Sequence, residues 1–134
     1  MADPMQVEVV SADQVVWSGT STNVIAKTTD GEIGILPGHA PVLAVLQPSA
    51  VVIFGEDGRS RQVVAVDGGF VSVSQGRVSI LSEYAQLADE VSVSQAEHEL
   101  AEAQQRLDSG DGSDDDRKHV QRATAQLRAA QKRQ

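Results

Sequence analysis

Short runs of valine, isoleucine and threonine are cut by Gly, Asp or Pro at roughly eight- to twelve-residue intervals as far as position 86. No other feature limits the fold as much. A chain reversed that often has no room for long helices, and parallel strands would need longer crossovers between them. Gln6–Val10 and Gln14–Trp17 flank the polar link Ser11-Ala12-Asp13, and Thr22–Lys27 stops at Asp30-Gly31. Ala50–Phe54 meets Arg61–Val66 across Gly55-Glu56-Asp57-Gly58. Asp67-Gly68-Gly69 is read as a tight turn into Phe70–Ser74, and Gln75-Gly76 turns the chain again into Val78–Leu81. In Phe70–Ser74 the alternation is strict, with Phe70, Ser72 and Ser74 on one face and Val71 and Val73 on the other. The reading is an antiparallel β-sandwich or barrel over residues 1–86.

After Leu87 the β-branched residues thin out and good helix formers replace them. Ser92 with Gln95, and Ser94 with Glu97, are overlapping capping boxes that would satisfy the free amides of a first helical turn. Val93, Ala96, Leu100, Ala103 and Leu107 then form one helical seam. The stretch 108–113 is rich in helix terminators. A second helix is expected from Ser113, with Asp114, Asp115 and Asp116 in its positive first turn and Lys132 and Arg133 at its end. Its seam is Val120, Ala123, Leu127 and Ala130. Residues 87–134 therefore read as a two-helix antiparallel hairpin. Both stripes are thin and alanine-rich, so the pair must lean on the sandwich, on each other or on a partner.

The net charge of −8 argues against a counterion-releasing grip on nucleic acid and against adhesion to an anionic membrane. With no cysteine there is neither a disulfide framework nor a cysteine zinc site, and a reducing, cytoplasmic setting is expected. Neither a signal-peptide pattern nor a membrane-spanning apolar run is present, so membrane association is expected only through a protein partner. Charge is divided along the chain: residues 87–116 carry ten acids and one base, residues 117–134 six bases and no acid. The basic second helix, with Arg117, Lys118, Arg122 and Arg128, would either neutralise the acidic first helix or dock on an acidic partner.

Chemistry is sparse. His39, His98 and His119 lie far apart with no metal-ligand spacing, and no phosphate cradle or nucleophile elbow occurs. No metal, cofactor or catalytic residue is expected, and the chain is read as a non-enzyme. The segment Asp30–Pro41 stands apart. Three glycines and two prolines fix its backbone without a regular element, and Ile33, Ile35 and Leu36 are too apolar for an idle loop. It is either a buried arch, with Ile35 and Leu36 plugging one end of the sandwich, or a rigid tip presenting Glu32 and His39 to a partner.

That segment, GEIGILPGHAP at 31–41, resembles the signature of the epsilon subunits of F-type ATP synthases, called delta in mitochondria. VEVVSADQVVWSG at 7–19 is similar to the family's first hairpin, and AVDGGFVSVSQGRVSILSEYA at 65–85 to its last. The resemblance implies a ten-stranded sandwich bound to the gamma subunit of the central stalk and to the ring of c subunits. Gly31, Glu32, Ile33, Gly34, Pro37, Gly38 and His39 match the ring- and stalk-facing loop. It also implies a non-catalytic rotor subunit at the cytoplasmic face of a bacterial membrane. The helical tail would fold on the sandwich or reach into the alpha/beta catalytic head, where it restrains ATP hydrolysis. Some relatives bind ATP through an I-D-x-x-R-A pattern; here Ser92 and Gln95 replace its Asp and Arg, so no nucleotide cofactor is expected. Two other readings are an unrelated sandwich adaptor that binds through its helical tail, and a small hydrolase centred on Asp30, Glu32 and His39.

Overall fold

Side-chain alternation decides which side of each strand is dry, and ten strands use it to close one core. The computed structural model describes residues 3–132; Met1, Ala2, Arg133 and Gln134 lie outside the described residues. The strands are β1 (Met5–Val10), β2 (Val15–Ser21), β3 (Asn23–Thr28), β4 (Gly31–Ile35), β5 (Val42–Val45), β6 (Ser49–Phe54), β7 (Arg61–Val66), β8 (Phe70–Ser74), β9 (Arg77–Leu81) and β10 (Ala85–Leu87). Sheet A has the order β2-β1-β9-β8-β5, and sheet B the order β10-β7-β6-β3-β4. Met5, Val7 and Val9 face inward from β1 and meet inward residues such as Ile35, Ile53 and Val64 of sheet B. The core is almost wholly branched aliphatic, which suits pleated surfaces.

The sandwich corrects the sequence reading in three places. All pairs are antiparallel but one: β1 runs parallel to β9, because the β1–β2 hairpin slots beside the β8–β9 hairpin. Gly31–Ile35 is a regular strand, paired with β3 from Thr28↔Gly31 to Val24↔Ile35. Glycines there are compatible with pairing because β4 is an edge strand. Asp67-Gly68-Gly69 is not a hairpin turn, since it carries the chain from β7 in sheet B to β8 in sheet A. The short strands β5 and β10 carry too little pattern to be read individually from the sequence.

The helices follow their seams. The first, α1 (Val93–Asp108), is capped by the Ser92 side chain, which accepts from the Gln95 amide. Ala96 and Ala103 are buried, and Val93, Leu100 and Leu107 half-buried, against α2 (Asp114–Lys132). On α2, Ala123 and Ala130 complete the seam. A second stripe, Ala125 and Ala129, packs on Ala50, Val52, Val63, Ala65 and Ala88 of sheet B and its margin. The sequence had offered three places for the tail to lean. In this structure it leans on itself and on the sandwich.

Gly110, at φ +84°, ends α1: its amide donates to the Leu107 carbonyl and that of Asp111 to Arg106, two orphan acceptors of the last turn. Ser113 and Asp116 then cap α2 reciprocally, the Ser113 amide donating to Asp116 Oδ2 at 3.0 Å and the Asp116 amide to Ser113 Oγ at 3.3 Å. Arg106 Nε closes the hairpin on Asp116 Oδ1 at 2.7 Å.

Three outcomes follow from the surroundings of Gly69, Gly34 and Asp116. A methyl group on Gly69 would lie 2.0 Å from the Leu81 carbonyl oxygen at φ +98°, so Gly69→Ala should cost about 3 kcal/mol or more. At Gly34 the same methyl meets open space, and Gly34→Ala should stay within about 0.5 kcal/mol in thermal denaturation. The Ser113 amide first, then Arg106, holds the Asp116 carboxyl below its ordinary value of 3.8. That stabilisation is complete above the ordinary value and is lost as pH falls through the lower folded value. Acid titration of helical circular dichroism should therefore show the hairpin loosening below about pH 4. In Asp116→Asn that part of the pH dependence should be missing.

Candidate functional site

Extended backbone separates the residues that the sequence had grouped in one tip. Glu32 pairs with Lys27 beside the Thr28–Gly31 turn, where Thr28 Oγ1 donates to the Gly31 carbonyl at 2.8 Å. Ile35 closes β4 at the other end, roughly 10 Å further along the strand. Pro37, Gly38 and His39 follow beyond it. The His39 amide donates to the Leu36 carbonyl at 3.0 Å, and its Nδ1 donates to the Ala40 carbonyl at 2.7 Å. Glu32 and His39 thus serve opposite ends of the sandwich, which separates His39 from Asp30 and Glu32. A hydrolase built on those three has no geometry here. Ile33 packs on the core and Ile35 is fully buried, as the arch reading expects. Leu36 is 56% exposed and plugs nothing, because it follows the last paired residue and its side chain falls outside the sheet. The segment is neither wholly internal nor a single tip. Among the described residues no cluster of His, Cys, Asp or Glu could hold a metal ion.

Of the six exposed large hydrophobic residues among the described residues, five lie on the outer face of sheet A. Register aligns Val45 with Phe70, Phe70 with Leu81, Leu81 with Val10, and Val10 with Val15. One apolar row therefore crosses all five strands. Val45, Phe70, Leu81 and Val15 are each about half exposed, and Leu43, one row away on β5, is 71% exposed. Beyond Leu43 that next row is polar, with Ser72, Ser79, Glu8 and Ser18. Beside the row runs a shallow groove of about 340 Å³, lined by Val10, Ala12, Gly69, Phe70 and Leu81. A contiguous apolar row on an otherwise polar surface is what a protein partner covers. Sequence alternation had placed Phe70 on the correct face with Ser72 and Ser74. It could not align Phe70 with Val10 and Val15, which are 60 and 55 positions away, because register is a tertiary property.

The opposite sheet is occupied by α2, and its cations have definite roles. Arg122 Nε donates to Asp67 Oδ2 at 3.1 Å, and the guanidinium lies over the Tyr84 ring, 5.4 Å from its centroid. Arg128 Nη1 donates to the Pro48 carbonyl at 2.7 Å. Arg117 pairs with Asp114 of its own helix, and Lys118 points to solvent. Of the two expectations for the basic helix, neutralisation of α1 is not how these bonds run. The one ion pair between the helices among the described residues uses an arginine of α1, Arg106, because the α2 cations lie off the inter-helix seam. Gln126 Nε2 donates to the Tyr84 hydroxyl at 2.7 Å and to Gln86 Oε1 at 3.1 Å, while the Tyr84 hydroxyl donates to Gln86. Burial pushes the Tyr84 phenol up, so it remains a neutral donor. At the start of α1, Ser92 is spent on the helix cap and Gln95 Nε2 donates to Glu99, so no cation stands there to meet a phosphate.

Comparison with known proteins points in one direction. Residues 4–88 match the beta-sandwich domain of the ATP synthase delta/epsilon chain family. The chain is 46% identical over 129 residues to the ATP synthase epsilon chain of Cutibacterium acnes, spanning 96% of this chain and 88% of that one. It is 43% identical over 131 residues to the epsilon chain of Streptomyces coelicolor, spanning 97% and 98% respectively. Its fold is similar to a chain in the Euglena gracilis mitochondrial ATP synthase OSCP/F1/c-ring structure, with a TM-score of 0.74 at 21% identity over 97% of this chain and 81% of that one. It is also similar to a chain in the Tetrahymena thermophila central stalk and c-ring structure, with a TM-score of 0.54 at 19% identity over 66% and 70%.

Proposed function

The chain belongs to the delta/epsilon family of ATP synthase, and we propose that it is a non-catalytic central-stalk subunit that links gamma to the c-ring. The observation that carries this reading is the five-strand apolar row on the free face of sheet A, which is too long to be an incidental exposed side chain. Gamma is its occupant: the row needs an elongated apolar partner, and the family resemblance supplies one. The segment 31–39 serves two contacts instead of one. Gly31, Glu32, Ile33 and Gly34 form an edge beside one end of the sandwich, and Pro37, Gly38 and His39 cap the other. Attachment to the ring is then peripheral, at the cytoplasmic face of a bacterial membrane, and no helix of the described residues is long and apolar enough to cross it.

The division into a stalk-binding part, residues 1–86, and a regulatory part, residues 87–134, belongs to the same proposal. In the seated state seen here, Arg122 and Arg128 grip the sandwich. Released, they join Arg117 and Lys118 in a basic face suited to acidic surfaces of the alpha/beta head, where the tail would restrain hydrolysis. Ser92 and Gln95 leave the isolated chain without a nucleotide role.

Replacing Phe70 and Leu81 together by serine should weaken binding to purified gamma at least tenfold while leaving the melting curve of the chain nearly unchanged; equal affinity would remove the row from the interface. Neutralising Arg117 and Lys118 should raise ATP hydrolysis by the assembled enzyme and flatten its salt response. Titration calorimetry of the isolated chain with ATP should show no micromolar binding, and a micromolar isotherm would contradict the reading of Ser92 and Gln95.

A further inference from the structure

Three crossovers carry the chain between the sheets at one end of the sandwich: residues 46–48 from β5 to β6, 67–69 from β7 to β8, and 82–84 from β9 to β10. Each begins or ends on the docking row. Val45 adjoins the first, Phe70 the second and Leu81 the third. Each is also held by α2. Arg128 donates to the Pro48 carbonyl, Arg122 to the Asp67 carboxylate, and Gln126 to the Tyr84 hydroxyl. The crossovers are tied to one another as well. The Leu46 amide donates to the Gly69 carbonyl at 2.8 Å, and Ser82 Oγ and the Tyr84 amide both donate to Asp67 Oδ1, at 2.9 and 3.3 Å. The Ser82 amide donates to the Val10 carbonyl at 3.0 Å, which brings in a fourth residue of the row.

We propose that these three crossovers couple the seat of α2 on sheet B to the docking row on sheet A, so that seating the tail preorganises the stalk-facing surface. The proposal rests on the reading of that row as the gamma-docking face. The physical basis is the cost of ordering loops. Gly68 and Gly69 both have positive φ, +132° and +98°, and a two-glycine segment has more freedom to lose on ordering than any other in the chain. Arg122 fixes Asp67 beside them, and Asp67 in turn fixes Ser82 and Tyr84. With the tail seated, the loops that bound Val45, Phe70 and Leu81 are already ordered when gamma arrives, and gamma does not have to order them. Linkage makes the effect reciprocal: gamma on the row strengthens the seat of α2 by the same factor that the seat strengthens gamma.

The test uses the full chain carrying Arg122→Gln, Gln126→Ala and Arg128→Gln together, with Arg122→Gln alone as a milder variant should the triple one fold poorly. Amide exchange is read by NMR on the free protein. The Leu46 and Ser82 amides should exchange at least about fivefold faster than in the parent. The Gln6 and Gly55 amides, bonded to Gly76 and Ser60 at the far end, should not change. Changes confined to the helices and to the outer face of sheet B would overturn the coupling. In a second arm, affinity for purified gamma should fall about fivefold in the variant. Unchanged affinity would overturn the proposal even if exchange responds. The Phe70→Ser, Leu81→Ser chain separates the two readings. If it binds gamma as the parent does, the docking face is wrong and the coupling falls with it; if it binds weakly while the α2 variant leaves crossover exchange unchanged, only the coupling is wrong.

Discussion

Where Ala125 and Ala129 of α2 meet Ala50, Ala65 and Ala88, most of the buried side chains are single methyl groups, with Val52 and Val63 the largest of them and Ile25 and Phe54 packed at the margin. Small residues let the helix come close to the sheet, but they bury little apolar area. At about 0.8 kcal/mol for a buried methyl-sized group, the two alanines of α2 contribute only about 2 kcal/mol between them. The helix therefore depends on its polar bonds for position and orientation. Those bonds, from Arg122, Gln126 and Arg128, all end on the crossovers between the sheets. A tail held this way is well ordered when seated, yet little apolar surface opposes its departure.

The two outer faces of the sandwich solve different problems with the same period-two pattern. Sheet B turns alanine and valine outward on β6 and β7, and the chain covers them with its own helix. Sheet A turns serine and glutamate outward over most of its width and reserves one row for large apolar side chains. Among the described residues nothing covers that row. Both sheets bury their inward faces in one aliphatic core, so neither outer face is needed to hold the sandwich together. The row is thus free to be selected for binding.

Local signals made much of this legible in advance. Strands β7 and β8 begin and end where the alternation and the flanking glycines put them, and the 3-4 seam of α1 is the set of residues that its partner buries. Ser92 caps the Gln95 amide, one half of the expected capping box, while the Gln95 side chain turns to Glu99 instead. The misreadings share one cause, which is that sheet membership is not a local property. A glycine-rich pentad such as Gly31–Ile35 reads as irregular until β3 supplies its hydrogen bonds. Asp67-Gly68-Gly69 has the composition of a hairpin turn, and only the topology shows that its two strands belong to different sheets. Asp67 itself had no sequence signal as an anchor, since its donors Ser82, Tyr84 and Arg122 lie up to 55 positions away. The apolar row was invisible for the same reason.

The division of charge along the chain takes on meaning once the tail is seated. The acids of α1, among them Glu97, Glu99 and Glu102, face solvent, while Arg122 and Arg128 turn to the sandwich. The seated tail therefore shows the surroundings a largely acidic surface. Opening the contact would expose two further cations beside Arg117 and Lys118 and leave the Asp67 carboxylate without its arginine. Both changes are unfavourable in isolation, because a largely buried carboxylate loses a charge-assisted bond and the clustered cations repel one another. An acidic partner surface reverses the second cost, and salt screens it. Release thus becomes favourable only where such a surface is close at hand. On the proposed regulatory role of residues 87–134, that condition ties the position of the tail to assembly.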